Sequence, residues 1–413
     1  MNVLLVNKFH HYRAGVEGVY FKTAELLKAH GHNVVFFSMQ HPENLSCVDL
    51  NAPHNILSQI RIAGRILYYM KARNNLAELL NRYPIDIAHL HDICYHISPS
   101  ILHELKKRNI PVVMTLHDFK MVCTSYYMFA GGRVCVACSD GKYYMPIKKR
   151  CVKDSLAKSA IASLEMYLHH KILDIYNNID IFISPSLFLK KKLGEAGFRK
   201  KIVHLYNFFD IKNEKGIDAG EIAGKGGRNT IIYIGRLSYE KGLYTLLDAA
   251  KLLLNKGDKI KVNIIGDGPL MSELQIKVRA EQIDNVSFLG YMKHEDLYKE
   301  IRNCIAVILP SECYENNPLS VIEAFALNKP VIGSRIGGIP ELVKDNERGL
   351  TFLPGDADDL SLKIKYMVDN PEKAVEMGRN ARLFVEKELN SEKHYQGLMS
   401  IYKSSIKLIR GNA

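Results

Sequence analysis

Hydrophobic runs of strand length alternate with amphipathic segments along this chain, in two series. In the first half, short apolar runs lie at 2–7, 33–38, 84–92, 111–119, 180–186 and 201–207. Apolar residues with helical spacing extend from about Glu17 to His30, between the first two runs. The strand-like runs of the second half are TIIYIG, VNIIGDG, VSFLGYM, CIAVILP, PVIGS and GLTFLP. Because strands that alternate with helices form parallel sheets, the pattern predicts an α/β fold with two Rossmann-like domains.

A polar, glycine-rich segment separates the two series and marks the domain boundaries. We predict an N-terminal domain over 1–210, a linker over 211–228 and a C-terminal domain over 229–390. The final segment, 391–413, is a basic amphipathic helix that is expected to cross back onto the first domain. A cysteine-rich insertion interrupts the N-terminal domain at 120–154. Two domains also fit the length, since 413 residues exceed one ordinary core.

One stretch of the C-terminal half combines a strand end, a loop and a helix start. The run CIAVILP predicts a buried strand, and Asn317 and Pro318 then predict the N-cap and the first residue of a helix. Asn328 is expected to end that helix in the left-handed conformation. A helix that starts at the carboxyl end of a parallel strand presents free N–H groups there, and its dipole favours an anion. The stretch therefore predicts an anion site.

Two carboxylates flank the predicted helix start. Glu315 lies in the loop, and Glu323 lies inside the helix, where side chains tilt toward the N-terminus. An anion pocket bordered by two carboxylates suits a sugar nucleotide, with the diphosphate on the amides and sugar hydroxyls on the glutamates. The alternative is that both glutamates are surface residues, with Glu323 paired to Lys329 or Arg335.

Two cations follow the first strand of the C-terminal half. Arg236 and Lys241 lie in the loop after IIYIG, at the sheet edge where the helix described above also begins. A charge-assisted contact to a diphosphate contributes roughly 1.5–3 kcal/mol. The alternative is that these cations only keep the loop soluble.

Histidines lie at the ends of two strands of the N-terminal half. His89 and His91 alternate along one strand and so share a face, where a structural role is at least as well supported as a ligand role. His117 follows the next strand, beside Asp118. A polar group at that strand end can contact a substrate or move a proton.

Four cysteines lie in the insertion with the spacing C-x11-C-x2-C-x12-C. They are Cys123, Cys135, Cys138 and Cys151. Four thiolates in a loop-rich segment predict a structural zinc site. Redox-active thiols and a loop disulfide are the alternatives, because only one C-x-x-C pair is present.

A formal net charge of +12 favours anionic partners such as a nucleotide or an acidic membrane surface. No nucleic-acid recognition motif accompanies the charge, so we expect no nucleic-acid partner. The basic segment from Arg61 to Arg73 is either an ordinary solvated helix or a contact for a membrane surface or lipid-linked acceptor. No apolar run approaches the roughly 18 residues of a membrane span, and the first residues predict a strand rather than a signal peptide. We expect a cytoplasmic protein, peripheral on the inner face of the membrane.

Three motifs together resemble those of the retaining glycosyltransferases of family 4, of the bacterial polysaccharide type. They are GRLSYEKG, GDGP and the E-x7-E pair formed by Glu315 and Glu323. The resemblance implies a GT-B fold, in which two Rossmann-like domains face each other across a cleft. It implies that Arg236 and Lys241 hold the donor diphosphate, that Glu315 contacts the donor hexose and that Glu323 binds the ribose.

The resemblance extends to further residues and to a reaction. The amides near Asn316, Asn317 and Leu319 would line sugar and phosphate, and Gly15 would match the glycine loop, where Ala14 departs from the family pattern. The implied reaction transfers a hexosyl group to a glycan or lipid-linked acceptor with retention and without a required metal. The catalytic set would be His117, Glu315, Arg236 and Lys241, with His117 positioning rather than acting as a strong base. The competing hypotheses are a phosphorylase- or epimerase-like enzyme and a non-catalytic sugar-nucleotide-binding protein.

Overall fold

The computed structural model describes residues 1–12, 15–39, 64–211 and 229–411. The chain divides into two compact units. The first unit contains residues 1–128, 136–205 and 394–413, and the second contains residues 129–135 and 206–393. Residues 212–228 of the predicted linker, Ala14 and residues 61–63 of the basic segment lie outside the described residues.

The first unit contains a six-stranded parallel sheet. The strands of the first half of the chain are β1 (Asn2–Val6), β2 (Asn33–Phe37), β3 (Ile87–Leu90), β4 (Val112–Thr115), β5 (Phe129–Ala130), β6 (Arg133–Val134), β7 (Ile181–Ser184) and β8 (Ile202–His204). The sheet order is β2-β1-β3-β4-β7-β8, while β5 and β6 form a separate antiparallel pair. The predicted strand regions are confirmed, although β3 and β4 are shorter than the apolar runs, so His91 and His117 lie beyond the strand ends.

The helices of this part of the chain follow its strands. They are α1 (Gly15–Ala29), α2 (Met70–Arg82), α3 (Ile101–Lys107), α4 (Met145–Lys149), α5 (Leu156–Tyr167) and α6 (Leu187–Glu195). Ser155 caps α5 by accepting the N–H of Lys158 at 3.3 Å. Helix α5 gives way to a π-helical turn at Leu168–Ile172 and a 3₁₀ turn at Ile175–Asn178.

The second unit contains another six-stranded parallel sheet. Its strands are β9 (Thr230–Ile234), β10 (Lys261–Ile265), β11 (Val286–Gly290), β12 (Ala306–Leu309), β13 (Val331–Ser334) and β14 (Gly349–Phe352). Its order is β11-β10-β9-β12-β13-β14. The helices of the second half of the chain are α7 (Leu243–Asn255), α8 (Met271–Ala280), α9 (His294–Arg302), α10 (Leu319–Ala326), α11 (Ile339–Leu342), α12 (Ala357–Asp369), α13 (Pro371–Glu388) and α14 (Ser391–Arg410). Two parallel sheets with helices confirm the predicted α/β class.

Both faces of β9, in the interior of the second sheet, are buried, which explains why this strand is almost entirely apolar. Ile231 and Tyr233 of β9 belong to one hydrophobic cluster, whereas Ile232 belongs to the cluster on the other face. Successive strand residues point to opposite faces, so a strand covered on both sides is apolar at every position. Among the helices of the described ranges, none has the length and apolar content needed to cross a bilayer.

The end of α14 lies on the first unit. Leu398 and Tyr402 of this helix belong to the same buried cluster as Val3 of β1. The hydroxyl of Tyr402 is hydrogen-bonded to Nδ1 of His89 at 2.8 Å, in the centre of the first sheet. The last helix therefore supplies both apolar and polar contacts to the core of the first unit.

Candidate functional site

An ion pair joins the loops that follow two neighbouring strands of the second sheet. Lys241 lies after β9 and Glu315 after β12, and Nζ of Lys241 donates to Oε1 of Glu315 at 2.5 Å. The hydroxyl of Ser311 donates to the same carboxylate oxygen at 2.6 Å. Ser311 is fully buried, and its carbonyl accepts from the hydroxyl of Ser334 at 2.6 Å. The cluster lies at the carboxyl edge of the sheet, where open α/β sheets bind ligands.

Electrostatics keep this pair ionised. Burial alone would raise the pKa of Glu315, but the charge of Lys241 and hydrogen bonds from Lys241 and Ser311 hold it below its ordinary value. Burial alone would lower the pKa of Lys241, but the nearby carboxylate of Glu315 and the smaller contributions of the surroundings raise it. The cluster therefore holds a fixed positive charge and a fixed negative charge side by side.

Close backbone approach around the cluster requires glycine at two positions. Gly242 precedes α7 with a φ of 69°, and a Cβ there would collide with the carbonyl oxygen of Pro310. Gly338 follows β13, and its N–H donates to the carbonyl of Glu315 at 2.7 Å. A Cβ on Gly338 would collide with the carbonyl oxygen of Asn316. Both glycines let neighbouring loops pack directly on the segment that carries Glu315.

Helix α10 begins beside this cluster, one residue later than the sequence predicted. Pro318 is the N-cap, with φ −67° and ψ 122°, so the predicted cap at Asn317 is wrong by one position. The side chain of Asn317 is engaged elsewhere, because its Oδ1 accepts the backbone N–H of Asn207 at 3.1 Å. The backbone N–H of Leu319 has no acceptor among the described residues, as expected for the first turn of a helix. The left-handed stop at Asn328 is confirmed by its φ of 58°.

The other predicted donor-binding residues are distributed over both units. Arg236 is exposed, and its guanidinium makes no hydrogen bond or ion pair with the residues that the structure describes. Glu323 is half-buried on α10, and Asn316 is buried in the loop before it. Gly15 belongs to the first unit, where it is exposed as the first residue of α1. The structure thus brings Lys241 and Glu315 into direct contact. Arg236 lies in the same loop as Lys241, after β9, at the same edge of the sheet.

Arg236→Ala is expected to weaken binding of a nucleoside diphosphate roughly 10- to 100-fold, because it removes a charge-assisted contact to phosphate. The measurement is isothermal titration with UDP, GDP and ADP. Arg279→Ala is the matched control, since Arg279 is an exposed arginine on α8 of the same unit. Equal affinities in wild type and Arg236→Ala would remove Arg236 from the diphosphate site.

Three histidine rings form a stack in the first unit. The ring centroids of His89 and His91 are 4.5 Å apart, and those of His91 and His117 are 5.2 Å apart. Nδ1 of His91 is hydrogen-bonded to Nε2 of His117 at 2.9 Å. The other end of the stack is held by Thr115, whose hydroxyl lies 2.8 Å from Nε2 of His89. The shared face of His89 and His91 is confirmed, and both make structural contacts.

Burial makes these imidazoles weak bases. It lowers the pKa of His117 to about 4, against the charge of Asp92, and lowers that of His89 to about 3. The rings are therefore neutral near pH 7. A neutral His117 can donate or accept a hydrogen bond, but it is poorly suited to take a proton from a hydroxyl.

A buried ionic network that the sequence analysis missed supports the loop after β4. Nζ of Lys120 donates to Oε2 of Glu165 at 2.5 Å, and Oε1 of Glu165 lies 3.0 Å from Nδ1 of His169. The side chains of Lys120 and Glu165 are 4% and 1% exposed. Nζ of Lys120 also donates to the hydroxyl of Tyr95 at 2.8 Å. Lys120 lies three positions after His117 in the chain, so the network fixes the loop that carries this histidine.

The structure does not group the four described cysteines of the predicted zinc site as ligands of one metal ion, so this site stays a prediction. Within the described ranges, no three His, Cys, Asp or Glu side chains are grouped as a metal ion requires. The Sγ of Cys123 lies 3.3 Å from the hydroxyl of Ser125.

Comparison with known proteins places this geometry in a family. The family model described as Glycosyltransferase Family 4 matches residues 13–213, and the model described as Glycosyl transferases group 1 matches residues 217–384. Two matched halves on two parallel sheets define a glycosyltransferase of the GT-B class. The chain belongs to these GT-B glycosyltransferases, and its N-terminal half matches family 4 among them.

Curated relatives agree with this assignment over different lengths. An uncharacterized glycosyltransferase of Methanocaldococcus jannaschii is 26% identical, over 55% of this chain and 60% of its own length. The α-D-kanosaminyltransferase of Streptomyces kanamyceticus is 28% identical, over 38% of this chain and 41% of its own length. The N-acetyl-α-D-glucosaminyl L-malate synthase of Bacillus anthracis is 26% identical, over 94% of this chain and 93% of its own length. The chain therefore spans less than two thirds of the length of each of the first two relatives.

Solved structures share the fold over nearly the whole chain. Sucrose-phosphate synthase from Thermosynechococcus elongatus superposes with a TM-score of 0.71 at 19% identity, covering 98% of each chain. HepE of Anabaena, solved in complex with UDP-glucose, superposes with a TM-score of 0.65 at 17% identity, covering 98% of this chain and 100% of its own. At these identities the similarity establishes the GT-B fold.

Proposed function

We propose that the protein transfers a hexosyl group from a sugar nucleotide to a glycan or lipid-linked acceptor, with retention at the anomeric carbon. The observation that carries this proposal is the cluster of Lys241, Glu315 and Ser311 beside the start of α10. An ammonium has three N–H donors, and Lys241 uses one of them on Glu315, which leaves others for a diphosphate. Lys241 and Ser311 both bind Oε1 of Glu315, which leaves Oε2 for hydroxyls of the donor sugar.

The proposed chemistry concentrates charge at the leaving diphosphate. As the bond between the anomeric carbon and the phosphate oxygen breaks, negative charge grows on that oxygen. Lys241, Arg236 and the free N–H groups of α10 would stabilise it, which is the largest type of contribution that preorganised donors make to catalysis. The cations and the helix dipole supply this stabilisation, so the proposal requires no divalent metal.

Retention is proposed through attack from the face that the diphosphate leaves. The acceptor oxygen forms a bond to the anomeric carbon, and its proton passes to the leaving phosphate oxygen. This route needs no strong protein base, which fits the pKa of His117 near 4. We assign His117 the role of positioning a hydroxyl by hydrogen bonding.

The names of related structures support a nucleotide donor. HepE of Anabaena was solved with UDP and with UDP-glucose, and the relative from Bacillus anthracis is named N-acetyl-α-D-glucosaminyl L-malate synthase. We therefore place a UDP-sugar first among the donors to be tested, with a membrane-proximal or glycan acceptor.

A donor screen tests the proposed function. One donor among UDP-, GDP- and ADP-sugars is expected to raise the melting temperature by roughly 5–10 °C at about 100 times its dissociation constant. Consumption of that donor should depend on a glycan acceptor, and proton NMR of the product should show the anomeric configuration of the donor.

Other outcomes of the screen would contradict the proposal. Stabilisation by a donor that is never consumed, with any acceptor tried, would indicate a binding protein. Acceptor-independent conversion to an epimer, or phosphate-dependent cleavage of a glycan alone, would indicate one of the other enzymes of this fold. Inversion at the anomeric carbon would reject the proposed mechanism but keep the transferase activity.

A further inference from the structure

Helix α5 of the first unit buries several of its polar residues and exposes several of its apolar ones. Ser159, Ser163 and Glu165 are 0–2% exposed. In contrast, Leu156 and Leu164 are 55% and 52% exposed. Four further apolar residues of α5 and the position after it are also partly exposed, namely Ala160, Ile161, Tyr167 and Leu168. The outward face is thus a continuous apolar stripe, opposite to the usual arrangement of a surface helix.

The orientation of this helix is fixed by its buried face. Glu165 is paired with Lys120 and His169, and the hydroxyl of Ser159 accepts the N–H of Val152 at 3.1 Å. Rotation of α5 to bury its leucines would break this buried ion pair, which is strongly unfavourable. The exposed leucines are therefore a stable feature of the fold.

The stripe extends beyond α5 and is bordered by cations. Ile172, in the π-helical turn after α5, is 70% exposed, and Tyr144, beside α4, is 43% exposed. Helix α4 packs against α5. The surrounding segment, 142–172, contains seven Lys and Arg residues but only two acids, Asp154 and the buried Glu165. The exposed cations that surround the stripe include Lys148, Arg150, Lys153, Lys158 and Lys171.

We propose that this surface, formed by the outward face of α5 with Tyr144, Ile172 and the surrounding cations, docks onto an anionic lipid bilayer. Apolar side chains would enter the boundary between headgroups and acyl chains while lysines contact lipid phosphates, as in interfacial helices. A second copy of the chain is a poorer occupant, because it would bring two surfaces of the same positive charge together. The proposal deepens the membrane-proximal acceptor suggested above and rests on that proposed function for its purpose.

Vesicle binding by the full chain tests this surface. Wild type is expected to co-sediment with vesicles of phosphatidylglycerol and phosphatidylcholine, less so at high salt, and weakly with phosphatidylcholine alone. L164Q/I172Q should bind the mixed vesicles at least about ten-fold more weakly at every salt concentration, because it removes the inserted side chains. K153Q/K158Q/K171Q should lose roughly five-fold per charge at low salt, with a loss that shrinks as salt rises.

The matched control is I276Q, because Ile276 is 66% exposed on α8 of the second unit, among residues that the surface does not include. It should bind vesicles like wild type. Circular dichroism and nucleotide binding should be unchanged in all variants, since the altered side chains are exposed. The vesicle assay contains neither donor nor acceptor, so its failure and a failure of the proposed transferase activity are distinguishable.

Three results would overturn the proposal. The first is equal vesicle binding by wild type and L164Q/I172Q. The second is wild-type binding that does not depend on lipid charge, or no binding at all. The third is a dimer, detected by light scattering, that L164Q/I172Q dissociates, which would assign the surface to a second copy of the chain.

Discussion

Replacing Glu315 with glutamine is expected to lower turnover on the order of 10²–10³-fold while the affinity for free nucleotide changes little. The amide cannot make charge-assisted hydrogen bonds to the donor sugar, and those bonds are expected to strengthen as the transition state forms. Free nucleotide has no hexose, so its binding does not depend on these hydrogen bonds. Lys241 also loses its partner, which leaves the ammonium more available to a diphosphate.

Replacing Glu323 with glutamine should give the opposite pattern. The proposed contact to the ribose is present in the free nucleotide and in the intact donor, so both should bind roughly ten-fold or more weakly. The measurements are isothermal titration with nucleoside diphosphate and steady-state kinetics with the donor. Glu376→Gln is the control, because Glu376 is 60% exposed in an ion pair on α13 of the same unit.

The two glutamate roles would be reversed if Glu315→Gln bound free nucleotide poorly while Glu323→Gln bound it normally. Normal turnover in Glu315→Gln would remove this residue from the reaction altogether. A melting temperature measured for each variant separates these outcomes from a loss of folding.

Glu165→Gln is expected to lower the melting temperature by roughly 6–20 °C, because it leaves the buried ammonium of Lys120 without its charge partner. Such unpaired buried charges cost about 3–5 kcal/mol. The apolar double replacement Lys120→Met with Glu165→Leu should recover much of the loss, since it removes both charges together. Lys191→Gln is the control, because Lys191 is 78% exposed in its ion pair.

The same ion pair predicts a dependence of stability on pH. Burial alone would raise the pKa of Glu165, but the charge of Lys120 and the hydrogen bond with His169 lower it from 4.5 to about 2. A carboxylate whose pKa is lower in the folded state stabilises the fold above its unfolded pKa. This contribution is fully present above pH 4.5 and is lost as the pH falls toward 2. In Glu165→Gln that part of the acid dependence should disappear, and an unchanged profile would contradict the assignment.

The sequence predicted the helices and strands and most of their ends well, because the signals for these features are local. Apolar runs at 2–7 and 33–38 became β1 and β2, and Asn328 took the left-handed conformation that a helix end favours. The helix start was wrong by one residue because Asn317 binds the backbone of Asn207, 110 residues away. A strong capping residue was thus redirected by a tertiary contact that the local pattern does not contain.

The sequence predicted where the candidate site lies, but not which of its side chains are hydrogen-bonded to each other. Strand ends place Lys241 and Glu315 at one sheet edge, yet their direct hydrogen bond joins residues 74 positions apart. The contact of Ser311 with Glu315 could not be predicted, because nothing in the local sequence distinguishes this serine from other loop serines. The change from α-helix to π-helical turn after α5 could not be predicted either, because the segment LHHKI contains neither proline nor glycine.

The orientation of α5 shows why an apolar pattern alone can mislead. Leucines at Leu156 and Leu164 would be assigned to the core by their spacing. The helix is instead oriented by Glu165, whose partner Lys120 lies 45 residues earlier. The sequence could have indicated this, because Glu165 and His169 are one turn apart and both need a polar partner if that face is buried.

The contact of α14 with the first unit has a consequence for biosynthesis. Val3 and Tyr402 share one core, so the first unit remains incomplete until the chain has been translated past residues 206–393 to Tyr402. During translation, His89 and its apolar neighbours in the first sheet remain uncovered while the second unit is synthesised. That apolar surface is open to aggregation until the last helix covers it, and a fragment that ends near residue 205 would expose it permanently.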